Sequence, residues 1–511
     1  PYHSEALLLG FVGLVNNDRE MMFHALRYLC CMLHTRFWVQ SAESKLTGST
    51  WDQRCFMEEM TTTSVVLLAD WFAFALTEQA KQLVQQYIWD KGLATIERDM
   101  MKFEYLYHCN QGIGFSRARI LGGLYLQGTW PRMGKYVDRA YDDLNQIFDN
   151  YLNKDGGIDE GIGYFCQSFQ AALPAYIAYA KFRKKDFKKI LKKRFNKTIN
   201  YISAMSSTVP GKAIPAGDCR TEYFCGDVIP VFAEIFPQSI FNYLLRPCIE
   251  NHSIFDVTGM MANSGGIVGL IYGPESSTHK ASVPSEFIRL TETGIVSSKR
   301  KNDNKSVGIF LLGSRPNPSH SHLDKGSLIL EIDQSAVLID PGMSSYASIA
   351  AAKLPQSSLH NVLTPVLDNN IYPDQDIPSK PVIPKGDGSN TTINAKIDLR
   401  NVWRSHMHSY TREISSERLE EFTIIDSGAL KLAGQLAFHL QSIIPFEIQE
   451  NFACLKTDKY VLYIKAAWAA SIHQEQKITD LGLRNVYTLT ITSDIHKRFN
   501  LLTQFEIRNY D

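Results

Sequence analysis

The feature that most limits what this chain can fold into is a change of hydrophobic period near Phe287. Before it, apolar residues recur at helical spacing. In AALPAYIAYAKF, Leu173, Tyr176, Ile177 and Ala180 follow the i, i+3, i+4, i+7 pattern that lines one face of a helix. Comparable stripes run through 5–34, 63–87, 116–151 and 187–204. They are divided by stretches such as NKDGG and STVPGKAIPAGD, whose Gly, Asn and Pro punctuate a chain. After Phe287 the period falls to two. FIRLTETGIVSSK, SVGIFLLGS, GSLILEI, SAVLIDPG, FTIIDSG, YVLYIKAA and VYTLTITSD read as strands separated by Asp, Asn and Gly turns. Helical hairpins in series predict a bundle, a solenoid or a toroid. Strands in series without intervening helices predict an antiparallel sandwich. At 511 residues the chain exceeds one ordinary core. It therefore reads as a helical domain over 1–283 and an antiparallel β-sandwich over 284–511, with the seam between about 275 and 287.

Charge narrows the function classes. Lys plus Arg equals Asp plus Glu at 53 each, so no global field points to nucleic acid or to a membrane surface. One segment departs from this balance. Between Lys181 and Lys197, KFRKKDFKKILKKRFNK holds ten basic residues against one Asp, with Phe187, Ile190, Leu191 and Phe195 at helical spacing. It reads either as a solvated helix face or as a docking surface for a polyanion. No apolar run reaches the ~18 residues of a membrane span. The nine cysteines are scattered and form no CxxC pair, which fits neither a disulfide framework nor a zinc knuckle and leans toward reduced thiols.

The densest chemistry lies in SHSHLDKGSLILEIDQSAVLIDPG, from Ser319 to Gly342. If HSHLD is extended, His320, His322 and Asp324 project from one face, because residues two apart on a strand share a side. A hairpin turning near Asp333 and Gln334 would return Asp340 beside the histidines. Two imidazoles and a carboxylate suit Zn²⁺ or another borderline divalent ion, and His360 in SSLHNVL is the nearest further imidazole. An HxH pair alone is more often structural or exposed than catalytic. Two stretches of the helical half also stand out. YHCNQGIGF sets Asn110 and Gln111 ahead of a flexible glycine pair and a new helix, and DGGIDEGIGYF surrounds Glu160 and Tyr164 with glycines. Each also reads as a plain helix–helix turn.

Taken in order, Asn110-Gln111, DGG…EGxGY (Asp155 to Tyr164), TETGIV (Thr291 to Val296), HSHLDKGSL, LIDPG and His360-Asn361 resemble the heparinase II/III-like superfamily of polysaccharide lyases. That superfamily also includes alginate lyases and is related to dermatan sulfate epimerases. The resemblance covers most of the chain, and HxHxD with DPG is its specific part. It implies an incomplete (α/α) toroid packed on an antiparallel β-sandwich, with a substrate cleft between them. It implies β-elimination on a uronic-acid polysaccharide such as heparan sulfate, hyaluronan, chondroitin sulfate or alginate. A C5-uronate epimerase on the same scaffold and an inactive carbohydrate-binding protein are the alternatives. Carried over residue by residue, the resemblance implies that His320 is a catalytic base, Tyr164 the catalytic tyrosine, and Asn110 the residue that neutralises the substrate carboxylate. His322, Asp340 and His360 bind one divalent metal, zinc before manganese or calcium, in a mainly structural role. Where many relatives carry histidine after the asparagine, this chain has Gln111, which can donate a hydrogen bond to substrate but cannot take a proton. Trp51, Arg220 and Trp403 are candidates to grip the polymer. The resemblance places the enzyme in the periplasm or outside the cell, whereas the cysteine usage points to the cytoplasm.

Overall fold

The structure is a computed structural model describing residues 2–38, 56–219, 224, 228–250, 267–274, 286–302, 305–315, 320–343, 353–450, 452–478 and 485–510. Contacts divide the chain into two compact units that interleave in sequence. One comprises 1–152, 164–196 and 224–280; the other comprises 153–163, 197–223 and 281–511. The expected boundary at 283/284 lies outside the described residues, as do Trp51 and Arg220.

The first unit is helical, as the 3.6-residue period predicted. Its helices start and stop where local chemistry says they should. Asp18, for example, accepts the Glu20 and Met21 backbone N–H groups at the start of Arg19–His34. The helix that carries Asn110 and Gln111, Asn110–Gln127, is buried continuously from Gly112 to Gly123. Two arginines within it are buried and paired. Arg117 donates to Glu59 at 2.8 Å, and Arg119 donates to Glu97 at 2.8 Å and to Asp143 at 2.7 Å. Burial pushes the Glu59 carboxyl above its ordinary value, against the pull of Arg117. The glycine pair after Asn110 is not a flexible lead-in. Gly112 lies inside the helix, where an added Cβ would sit 1.9 Å from the Leu106 carbonyl oxygen, so glycine is there for close approach.

The second unit is built from antiparallel sheets. Five strands form a meander in chain order: β1 (Glu286–Leu290), β2 (Ile295–Lys301), β3 (Ser306–Leu312), β4 (Leu328–Ile332) and β5 (Ser335–Leu338). β4 is buried at every position, which explains why its sequence, LILEI, is apolar apart from Glu331. By contrast Ile393–Asp398, in an eight-stranded sheet, alternates buried and exposed because one face meets solvent. The β4–β5 turn falls at Asp333 and Gln334, both with positive φ (50° and 64°), as a two-residue hairpin turn requires. A four-stranded sheet sets Leu436–Ser442 between Asn485–Ser493 and Leu363–Pro365. Leu311, Leu330, Ile414, Phe438 and Phe505 belong to one core. Trp403 belongs to that core too and is fully buried, so it is packing and not a polymer-gripping residue.

The segments 153–163 and 197–223 join this unit through polar side chains. Asp155 of the DGG stretch accepts the Glu292 and Thr293 N–H groups and the Thr293 hydroxyl, each at 2.8 Å. DGG and TETG are therefore two halves of one turn-locking contact. Glu331 of β4 accepts the Ser207 hydroxyl at 2.5 Å, and the Thr208 N–H and hydroxyl at 2.6 and 2.7 Å.

Candidate active site and metal centre

HSHLD is not a strand. His320 sits in a left-handed turn (φ 56°), and 321–326 form an irregular loop before β4. His320, His322 and Asp324 therefore do not share a strand face, yet both histidines converge on a third group. Asp218 brings one carboxylate oxygen to within 2.5 Å of His320 Nδ1 and the other to within 3.0 Å of His322 Nε2. Its backbone N–H also donates to the His320 carbonyl at 3.0 Å. The approach is tight enough to require glycine at 217, where φ is 65° and a Cβ would lie 2.6 Å from the His320 oxygen. Asp218 was absent from the sequence reading because PAGD looks like loop punctuation. Nothing local in the sequence marks its partner, 102 residues away.

The irregular loop is held rigidly. Lys325, itself buried, donates from Nζ to Ser321 Oγ at 2.7 Å, to Asp324 Oδ1 at 2.5 Å and to the His322 carbonyl. Gln375 accepts the Lys325 N–H at 2.9 Å and returns a hydrogen bond to its carbonyl at 2.8 Å. Burial on its own would raise the Asp324 pKa. The charges of Lys325, His360 and His322 around it hold it below the ordinary carboxylate value, so it stays ionised.

Behind His322 lies the predicted metal group. Ligand atoms of His322, Asp340 and His360, all buried, fall within 4.8 Å of one another. β5 delivers Asp340, as the hairpin argument predicted, and His360 stands just before the short strand Leu363–Pro365. The donor chemistry fits a cation. His322 Nε2 is engaged by Asp218, and His360 Nδ1 faces Asp340 Oδ2 at 2.8 Å. The other nitrogen of each ring, His322 Nδ1 and His360 Nε2, is buried without a hydrogen-bond partner. Each imidazole thus pairs a carboxylate-backed N–H with an unsatisfied lone pair, the arrangement seen when a ring is oriented for a metal. Asp340 Oδ1 is fixed by the Gly342 N–H at 2.8 Å. Burial opposes a charge on His360, but Asp340 and, beyond it, Asp324 outweigh burial and raise its pKa.

Asn361, noted in sequence only as part of a His-Asn motif, pins the ligand strands together. Its Nδ2 donates to the Leu328 and Ile339 carbonyls, and its Oδ1 accepts the Gln441 N–H at 2.6 Å. Arg412, locked to Asp426 at 2.8 Å, donates to the carbonyls of Gly326 (2.7 Å) and Asn361 (2.9 Å). A cavity of about 40 Å³ lies beside the site, lined by residues that include Asp159, Gly217, Ser321, Asp324 and Lys325.

Asn110, Gln111 and Tyr164 belong to the helical unit. Asn110 is buried in the first turn of its helix, and Gln111 accepts the Tyr105 hydroxyl at 2.8 Å through Oε1. Tyr164 is half-buried in the first turn of Ile162–Phe182.

No protein-family model and no curated protein matches the sequence. Solved structures do share its fold. Heparinase III superposes with a TM-score of 0.70 at 13% identity, over 99% of this chain and 76% of its own. The heparan sulfate lyase of Pedobacter heparinus gives 0.62 at 13% identity, over 98% and 75%. The chondroitin AC lyase of Streptomyces coelicolor gives 0.60 at 9%, over 96% and 71%. The chain therefore has the fold of the heparinase III-like lyases, the helical-toroid and β-sandwich class that the resemblance implied. Among the described residues, no helix is long and apolar enough to cross a membrane.

Proposed function

We propose that the chain is a polysaccharide lyase that cleaves a uronic-acid-containing polymer by β-elimination. The observation that carries this reading is the Asp218–His320 pair. Asp218 fixes Nδ1 of an imidazole whose side chain keeps 29% of its surface exposed, beside a buried group fit for a cation and on a fold shared with glycosaminoglycan lyases. With the Nδ1 proton donated to Asp218, Nε2 is the basic nitrogen of His320, and the carboxylate stabilises the imidazolium once a proton arrives.

The chemistry asks for three things. The proton at C5 of a uronate is weakly acidic while the neighbouring carboxylate stays anionic, so donors must meet the charge that grows there; Asn110, with Gln111 beside it, supplies them. Tyr164 or His320 takes the C5 proton, according to the face of the sugar that carries it. The C5–H and C4–O4 bonds break, C4=C5 forms, and the departing O4 takes a proton from Tyr164. His322, Asp340 and His360 would hold one divalent ion, with zinc the best match to two imidazoles and a carboxylate. Bound there, it supplies structural rigidity. This chain's residues do the proton work, with Asp218 coupling His322 of the metal group to His320. Gln111 in place of a second base narrows the accepted uronates, and a polymer substrate places the enzyme outside the cytoplasm.

Heparan sulfate, hyaluronan, chondroitin and dermatan sulfates and alginate are the polymers to screen. An unsaturated uronate formed from at least one of them, and lost in Tyr164→Phe, supports the lyase. Deuterium uptake at C5 without a double bond identifies an epimerase, and neither change on any polymer leaves a binding protein.

A further inference from the structure

The elimination residues leave unexplained the ten cations between Lys181 and Lys197. They follow the helix that begins with Tyr164's turn. That helix ends at Phe182, so the basic stretch starts about 27 Å from the tyrosine at 1.5 Å per residue. A short helix, Phe187–Phe195, then carries it. Leu191 and Phe195 are buried, Phe195 against Phe148 and Phe169, and Phe187 meets Tyr272 edge-on. Lys188, Lys189, Lys192 and Lys193 are exposed away from those anchors, in two rows related by four residues.

Local stability does not account for these charges. Basic residues in the last turn, here Lys192, Lys193 and Arg194, complement the helix dipole. Those before and within the first turn work against it. Asp186 is the acid that answers them: it caps the Lys188 and Lys189 N–H groups and pairs loosely with Lys189. Lys188 reaches Glu234, Arg183 reaches Asp138 and Arg194 reaches Asp149. Lys184, Lys185, Lys192 and Lys193 are exposed and, among the described residues, have no carboxylate partner, although Lys185 also lies 5.8 Å from the Tyr179 ring centroid. Lys184 even occupies a left-handed turn position (φ 51°) that glycine or asparagine would fill more cheaply. Like charges four residues apart repel, so the free protein carries a cost that a bound anion relieves. Among the described residues of this stretch no large apolar side chain is exposed, as a membrane-inserting helix would need.

We infer that this ridge is a second polysaccharide-binding site, which holds sulfated stretches of the polymer about 27 Å from Tyr164. The inference rests on the reading of the chain as acting on an anionic polysaccharide and adds the chemistry it prefers. Sulfate groups are permanently ionised and closely spaced, and lysine ammonium groups bind such anions as mobile point charges. A chain that reaches both places must be several sugars long, so the ridge favours long polymers over short fragments.

The test is equilibrium binding of heparan sulfate, hyaluronan, a random DNA duplex and phosphatidylserine vesicles to the Tyr164→Phe protein. The same probes are run against a version that also carries Lys184→Ser, Lys185→Ser, Lys192→Ser and Lys193→Ser. Heparan sulfate should bind the parent more tightly than the other probes. The four serines should weaken it at least tenfold and flatten the slope of log Kd against log salt by about three. The matching four arginines should preserve it, and thermal melting should stay unchanged. Heparan sulfate binding that is indifferent to the serines overturns the inference, as does equal or tighter binding of DNA or vesicles. The two readings fail separately: turnover with ridge-independent binding removes this one alone, and ridge-dependent binding without unsaturated product removes the lyase alone.

Discussion

Asp218 touches both histidines of the HxH pair, so its replacement separates orientation from charge. In Asp218→Asn the amide can accept from only one ring and can donate to the other, which favours the wrong tautomer of His320. We expect kcat to fall about 100- to 10,000-fold with KM little changed, the range ascribed to a well-placed general base. A fall in KM-linked binding with kcat intact would instead make Asp218 a structural residue. His360 yields a prediction about pH. Its pKa in the metal-free protein is raised, so it keeps a proton that the unfolded chain releases near 6.5. The resulting stability is fully present below 6.5 and is lost as pH rises through the folded pKa. A metal ion needs the His360 Nε2 lone pair and must displace that proton. Zinc affinity should therefore rise with pH up to the raised folded pKa and level off once His360 is neutral. Calorimetric titration in buffers of different ionisation enthalpy should show proton release that shrinks as pH rises; affinity flat with pH would contradict this. The grouping of His322, Asp340 and His360 was legible from residue type and order. Asp218 was not, because a carboxylate in a Pro-Gly loop has no local signature.

At the scale of elements, period identified helices and strands, and the β4–β5 turn fell where Asp333-Gln334 predicted it. The HSHLD segment misled for a physical reason. An apolar strand begins only at Leu328, and the polar residues before it are satisfied by Gln375, Ser357 and Lys325 instead of by a neighbouring strand. Asn361 is the fastening of this region. Asn361→Ala leaves the Leu328 and Ile339 carbonyls and the Gln441 N–H buried and unpaired, at about 1–3 kcal/mol for each group left unsatisfied. We expect a loss of about 3 kcal/mol or more in urea unfolding, with weaker metal retention. Unchanged stability would mean that the strands hold His360 and Asp340 without it. His322→Ala should likewise lower both metal content and melting temperature, and activity only through them.

For the whole molecule, the sequence showed the change from helix to sheet but not the interleaving. Hydrophobic period reports neighbours along the chain, whereas Asp155 meets Thr293 across 138 residues and Ser207 meets Glu331 across 124. The β unit therefore depends on segments from the helical half of the sequence. A fragment of 284–511 lacks the donors to Glu331 and the Asp218 carboxylate. It should melt without cooperativity in calorimetry, and a sharp transition at the temperature of the full chain would contradict this. The same interleaving links the loop ahead of Tyr164, in 153–163, and the loop carrying Asp218, in 197–223, to one unit.

The central claim, that His320 held by Asp218 serves a β-elimination on uronates, is tested most directly by the near-ultraviolet absorbance of the C4–C5 double bond. It is followed while the wild type and His320→Ala, matched for metal content, act on the polymer panel. The account predicts rising absorbance with at least one polymer in the wild type and a rate at least about 100-fold lower in the variant. No absorbance with any polymer, or a variant as fast as the wild type, would contradict it.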